Sequence, residues 1–535
     1  MKRFFALGAA IAALATSAVA ADTFEPSADA MRAHVTFLAD DLLQGRMPGT
    51  PGYDIAANYV ASQFLQLGVK PAGENGTYLQ KVPMVSYRSA ERGALTLRGG
   101  RKPVSMLFGA DYRPYADPLG RQVKLTAPMV FVGYGIVAPE RSRDDYAGLD
   151  VKGKIVVVLG GAPKGLQSEE RAYYAGGRTK RIEAAKRGAI GYISVATPSQ
   201  EKAYPFDKGN AHWRDTSMTW ATPDGTPQLS GGQARPLASI SQKGAAKLFA
   251  GAPVPVETIM AAAETPDGVT PRFELPLTAQ VSLTNEIARV DSSNVVGLIE
   301  GSDPARKDEY VVLSAHLDHI GTSEPVDGDS INNGALDNAG GIATLLEVAR
   351  GFEQSGAAPK RSILIVAVTA EEQGLIGADY FAHNPTVPKG SLVADVNLDM
   401  PILLYDFQDV VAFGAERSSV GPAVRRAAES MGVKLSPDPL PDEGLFTRSD
   451  HYRFVEAGIP AVFLMTGFAN GGEAAFTGFL ANRYHKPNDD LRQGIDYVAG
   501  AKFAKLNYRI ARELADGKDR PRWNDGDFFG GKFAK

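Results

Sequence analysis

The sequence predicts an α/β protein: a mixed, largely parallel central sheet with helices on both faces, interrupted by a β-rich domain. Three observations carry this. From about residue 281, apolar runs of strand length alternate with segments of helical periodicity, the pattern of strands joined by crossover helices. Between about residues 86 and 280 the pattern changes to short strands and turns. Residues able to bind metal gather where the buried runs end, and open α/β sheets build their sites there.

Composition sets the outer limits. The chain has 535 residues, 44% apolar and 22% charged, the profile of a soluble globular protein of two to four domains. A formal net charge of −4 lacks the basic excess that a nucleic-acid partner requires. There is no cysteine, which excludes disulfides, thiolate metal sites and cysteine nucleophiles. Any metal must be held by carboxylates and by some of the seven histidines.

In chain order, residues 1–20 read as a secretory signal. Lys2 and Arg3 precede the apolar segment Phe4 to Ala15, and Ala18-Val19-Ala20 is an A-x-A cleavage site. That segment is too short to anchor the chain in a membrane, so the mature protein is expected to be exported, to the periplasm or outside the cell. Residues 22–85 form the first part of the main domain. Met31 to Leu43 and Tyr53 to Leu67 have helical periodicity around the turn-rich Gln44 to Gly52. Residues 86–280 form the insert, with strands at Val130 to Val137 and Gly153 to Gly160 and one histidine, His212. None of its strands ends in a ligand-capable cluster, so it is expected to supply no ligand and to shape access to the cleft. Residues 281–519 are the main part, and the polar, glycine-rich residues 520–535 are expected to be a loosely held tail.

The chemistry sits in the main part. His316 and Asp318 close the run Glu309 to Ala315. Two apart on a strand, they face the same side, so Asp318 can accept the N–H left over on a metal-bound His316. Alone, H-x-D equally fits a solvated strand end. Asp337 stands in A-L-D-N-A-G-G, where small neighbours let two cations approach one carboxylate; singly, it also reads as a helix N-cap. Glu371 and Glu372 follow the buried run Ser362 to Val368. Adjacent carboxylates at a sheet end repel, and a cation offsets that. One can ligate metal while the other takes a proton from metal-bound water. A solvated first helical turn is the other reading of the pair. Asp399 ends a third strand, and His485 lies in a late loop with Asp489 or Asp490 as its partner. Together these residues give five ligands, enough for two metals sharing one carboxylate, with a bridging hydroxide as nucleophile.

With these residues in place, the chain resembles the secreted co-catalytic di-zinc aminopeptidases, the family that includes aminopeptidase Y, aminopeptidase S and glutamate carboxypeptidase II. Leu42 to Thr50 is similar to the family's G-R-x-x-G-T segment, and Ser449-Asp450-His451 with Glu456 to Ala461 to its S-D-H…G-I-P-A segment. The resemblance implies the zinc exopeptidase fold and two Zn2+ per chain. It implies one zinc on His316, Asp337 and Asp399 and the other on Asp337, Glu372 and His485. It implies Glu371 as general base, with Asp318 behind His316. The insert resembles the protease-associated domain found inserted in this family, through Gly133-Tyr134-Gly135, Asp145 to Asp150 and Lys152 to Val158. Gly467 to Arg483 is longer than the family pattern and leaves specificity open. The implied function is an aminopeptidase acting on peptide substrates. The alternatives are a carboxypeptidase on the same core, using Arg448 or Arg483, and a single-zinc glutaminyl cyclase. The full ligand set disfavours a catalytically silent, receptor-like protein.

Overall fold

The computed structural model describes residues 24–228 and 234–534. The expected signal segment lies outside the described residues. No helix among them is long and apolar enough to cross a membrane.

The central sheet is built from β1 (Leu79–Ser89), β2 (Phe273–Ile299), β3 (Tyr310–His316), β4 (Ser362–Val368), β5 (Leu392–Asn397), β6 (Asp409–Phe413) and β7 (Ala461–Thr466). Their order is β1-β2-β4-β3-β5-β7-β6. The four inner strands β4, β3, β5 and β7 are parallel, and the flanking pairs are antiparallel. The architecture is thus mixed with a parallel core. Every residue of β4, β5 and β7 is buried, and such strands need cover on both faces. Helices Ala28–Leu38, Gly340–Gln354 and Tyr497–Asp516 pack on one another at one face. Helices Ile376–His383 and His451–Glu456 pack together at the other.

The insert has two apolar clusters of its own, one running from Leu95 to Leu283 and one from Val130 to Ala234. It is joined to the main sheet by β2. The first half of β2 pairs with Ala94–Arg98 and Gln122–Phe131, and the second half with β1 and β4. The expected border at residue 280 therefore falls inside one strand. No Gly or Pro interrupts the run from Leu277 to Val296, so nothing local breaks the ladder there.

The tail is a correction. The segment 520–535 is expected to be loose, but its described residues, 520–534, are docked. Trp523 bridges to Ser418, and its indole N–H donates to the Gly458 carbonyl at 2.9 Å. Asp527 caps the helix Phe528–Phe533 and pairs with Arg417 at 3.0 Å. Phe529 is fully buried, its ring tilted against Phe446 and edge-on to Tyr452. The polar average of this segment hid four large aromatics, Trp523, Phe528, Phe529 and Phe533, whose burial outweighs the cost of ordering a short helix. Phe528 also meets Tyr173 and Tyr174 of the insert, so the tail packs against both parts.

Candidate metal centre

Because β3, β4 and β5 are parallel, their carboxyl ends open on one edge of the sheet. His316 is the last residue of β3 and lies opposite Val368 of β4, which sets the Thr369–Glu372 segment beside it. Ser314 lies opposite Asn397 of β5, and continuing that register brings Asp399 next to His316. His316 Nε2 is 3.3 Å from Asp337 Oδ1 and 3.0 Å from Asp399 Oδ1. His485 Nε2 is 3.4 Å from Asp337 Oδ2 and 3.1 Å from Glu372 Oε2. Asp337 thus turns one oxygen to each of two donor sets. Tetrahedral zinc with ligand bonds of about 2.0–2.2 Å spaces its donors by about 3.4 Å, so the histidine-to-carboxylate spacings and the donor types of both sets fit that ion; donor atoms of His319, Asp337 and Glu372 also lie within 4.8 Å of one another. Glu371 stands at the same edge, with donor atoms of His316, Glu371 and Glu372 within 4.8 Å of one another.

Each donor is held from behind. Asp489 Oδ1 and Oδ2 accept from the Leu336 and Asp337 amides at 3.0 and 3.1 Å, fixing the turn that carries Asp337. Asn338 ties that turn to the β5 end, donating to the Leu398 carbonyl at 2.9 Å and accepting from the Met400 amide at 3.1 Å. Ser449 donates to Asp399 Oδ2 at 2.5 Å and accepts from Asn397 Nδ2 at 2.6 Å. The S-D-H segment therefore orients the Asp399 carboxylate through its serine.

Residues 294–511, which contain every one of these donors, match the family model of peptidase family M28. Over this span the chain is similar to peptidase family M28. The matched span covers β3 to β7 and stops short of the tail. Among curated relatives, a probable zinc metalloprotease of Pyrenophora teres f. teres is 37% identical over 111 residues, 21% of this chain and 23% of that protein. A probable glutamate carboxypeptidase of Arabidopsis thaliana is 25% identical over 387 residues, 66% of this chain and 52% of that protein. The chain thus spans from about a quarter to about half the length of these relatives. Among solved structures, the aminopeptidase from Aneurinibacillus sp. strain AM-1 is similar with a TM-score of 0.51 at 20% identity. That match covers 94% of this chain and 95% of that one, and the likeness is one of fold.

Two expected partnerships in this site are different in the structure. Asp318 was assigned to the leftover N–H of His316, but that Nδ1 lies 3.2 Å from the backbone carbonyl of Asp318 and 3.9 Å from its carboxylate. The Asp318 carboxylate instead accepts from the amides of Glu371 and Glu372, at 3.1 and 3.3 Å. The reason is that the chain bends after His316, so strand alternation no longer governs where Asp318 points. Neither Asp489 nor Asp490 hydrogen-bonds His485. Asp489 holds the Asp337 turn, and Asp490 caps its own turn and pairs with Arg492.

Charge in the site follows from crowding. Burial pushes the Glu371 carboxyl well above its usual range against the pull of His316, and Glu372 and Asp399 add to the rise. Burial and Asp337 also press Glu372 upward, but His319 and His485 outweigh them and bring it to about 2. Burial opposes the charge on His485, yet the neighbouring carboxylates of Asp337 and Glu372 raise it to about 10. His316 is likewise raised well above its ordinary value, because Asp399 and Glu371 overcome burial. The two neighbouring glutamates are thereby pushed apart, one carboxyl up and the other down.

Two residues that the sequence reading left without a role emerge here. His319, in the same S-A-H-L-D-H-I-G segment, donates to or accepts from Glu372 at 2.7 Å and is fully buried. Arg46 of the G-R-x-x-G-T segment lies buried beneath the site and donates to the carbonyls of Leu317, Asn333 and Gly334 at 2.9, 2.6 and 3.0 Å, and to that of Leu38. A histidine repeated three residues after the first was a visible signal; Arg46's contacts had none.

Proposed function

We propose that the protein is a zinc-dependent exopeptidase that releases N-terminal residues from peptides, with two Zn2+ per chain. The observation that carries this is Asp337 offering one oxygen to each of two His–carboxylate sets, with Glu371 beside both. Zinc held there supplies Lewis acidity toward water and toward the scissile carbonyl. Glu371, raised by burial, takes a proton from the attacking water and returns it to the leaving amine. Asp318 fixes the backbone of both glutamates, and Ser449 fixes Asp399. The site opens into a cavity of about 240 Å³ whose apolar wall includes Leu440, Leu445, Phe463, Phe476 and Leu480. Typical ligand pockets run to about 300–1,000 Å³, so this one accepts the end of a peptide rather than a long stretch. The helix Gly472–Asn482 supplies Phe476 and Leu480, which gives the long Gly467–Arg483 stretch a task.

The insert acts as the lid, a protease-associated domain in our reading. Its helix Ser168–Ala175 contacts the segments Pro441–Glu443 and Leu445–Thr447 at the cavity rim, with Arg171 pairing to Asp442 at 2.6 Å. Residues 1–20 are read as an export signal, so the exported protein should begin at Ala21, which N-terminal sequencing checks. A carboxypeptidase stays as the second reading because Arg448 lines the cavity, half-exposed, 3.6 Å from Glu443.

The deciding experiment is a panel of aminoacyl-anilides against N-blocked peptides, with and without chelator. Cleavage that needs a free amino group and returns only with zinc supports the reading. Full activity in exhaustively metal-free protein, or preference for N-blocked peptides with a free carboxylate, sinks it. Elemental analysis near one zinc per chain points to the cyclase instead.

Two further results are expected. His316 and His485 must lose their protons before their nitrogens can hold a cation, so zinc uptake releases protons. Both are raised, His485 to about 10. Zinc affinity should therefore climb with pH through the neutral range, by about tenfold per pH unit for each proton released. Chelator competition between pH 6 and 8 measures it, and a flat profile contradicts the protonation pattern. His212 is exposed and 2.9 Å from Asp215, within the insert. His212→Ala should keep both zinc ions and most activity on a small anilide; loss of a zinc would make the insert part of the site.

A further inference from the structure

We propose that His319 is a positioning residue of the second zinc site: its Nδ1–H holds one oxygen of Glu372 so that the other faces His485 and Asp337. The inference rests on the two-metal reading above. The two oxygens of Glu372 are divided. Oε1 lies 2.7 Å from His319 Nδ1, and Oε2 lies 3.1 Å from His485 Nε2. His319 Nδ1 is 4.0 Å from Asp337 Oδ2, beyond hydrogen-bond reach, so Glu372 is its target at this edge. A ligating carboxylate only accepts, which places the proton on Nδ1. Nε2 is buried without a hydrogen-bond partner, so no rival bond draws the ring aside.

The ring is also walled in. Gly334 has φ +60°, and a Cβ there would come 2.6 Å from His319 Cγ. Arg46 holds the Gly334 carbonyl at 3.0 Å and accepts from the His319 amide at 3.3 Å. The His319 and His485 ring centroids are 5.7 Å apart. The imidazole therefore stands as a fixed donor against a side chain that would otherwise sample several rotamers, and metal affinity depends on such orienting bonds.

The test is zinc affinity of the full chain by competition with a chromophoric chelator, on wild type and on His319→Asn, His319→Gln and His319→Leu. The asparagine amide nitrogen sits as many bonds from the backbone as Nδ1 and can donate to Glu372; the glutamine nitrogen sits one bond farther. His319→Leu and His319→Gln should weaken the second zinc by about 10–100-fold and leave the first unchanged, while His319→Asn stays within about threefold of wild type. If the leucine variant does not fold, the Asn and Gln variants decide. Affinities of the Leu and Gln variants within about twofold of wild type overturn the proposal. So does an asparagine variant as weak as glutamine, which would point to an imidazole nitrogen on the metal itself. A wild type that takes up a single zinc overturns the two-metal reading, and this proposal with it, before any variant is compared.

Discussion

Glu371→Gln is expected to keep its zinc and lose turnover by about two to four orders of magnitude, the contribution of a general base. The expectation follows from how the neighbouring glutamates are treated. Glu371 donates no atom to either of the closest His–Asp sets, and burial with Glu372 and Asp399 nearby holds its pKa well up. Glu372 is hydrogen-bonded by His319, faces His485 and is held to about 2, the state of a ligand. Glutamine at 371 has nearly the shape of glutamate and can keep the packing, but it cannot carry the proton from water to the leaving amine. Glu372→Gln should instead weaken the second zinc while the first, on His316, Asp337 and Asp399, persists. Zinc per chain and turnover on an anilide, measured together, separate the two. An active, zinc-poor Glu371→Gln would show that the roles are the reverse.

Arg46→Ala is expected to lower the unfolding free energy by about 3–5 kcal/mol, the cost of taking out a buried charge that its surroundings were built around. Burial brings Arg46 down only to about 10, and Asp318, Asp489, Asp337 and Glu372 all favour its charge. It remains a cation at neutral pH, yet its hydrogen bonds go to carbonyls rather than carboxylates. Those carbonyls belong to Leu38, Leu317, Asn333 and Gly334. One side chain thereby ties the first helix, the end of β3 and the turn before Asp337. Removing it strands buried acceptors, each costing about 1–3 kcal/mol. Arg46→Lys should recover part of the loss, since a single ammonium cannot match the guanidinium fork. Urea unfolding of metal-free protein measures the change; a loss under about 1 kcal/mol would refute this account. The preceding Gly45 belongs to the same device. Its φ is +69°, and a Cβ would lie 2.4 Å from the Gly321 carbonyl oxygen, so the G-R pair works as a unit.

The sequence by itself determined the strands that carry the site and the residue types at their ends. Runs such as Ile363–Val368 are apolar throughout, as a strand buried on both faces requires. His316, Glu371, Glu372 and Asp399 stood out at the ends of buried runs, Asp337 in a turn of small residues and His485 in a late loop. Only the tertiary structure decided who holds whom. Asp489 meets the Asp337 turn across 152 residues, and Arg46 reaches Gly334 across 288. Asp318 turned from His316 to the glutamate amides because the chain bends after β3, and His319 found Glu372 by the same bend. The tail docked through four aromatics that its polar composition concealed, and β2 ran on through the expected border. Periodicity reports which face of a strand or helix is buried; a hydrogen bond is short and directional, and its partner is fixed only when distant segments are packed against each other.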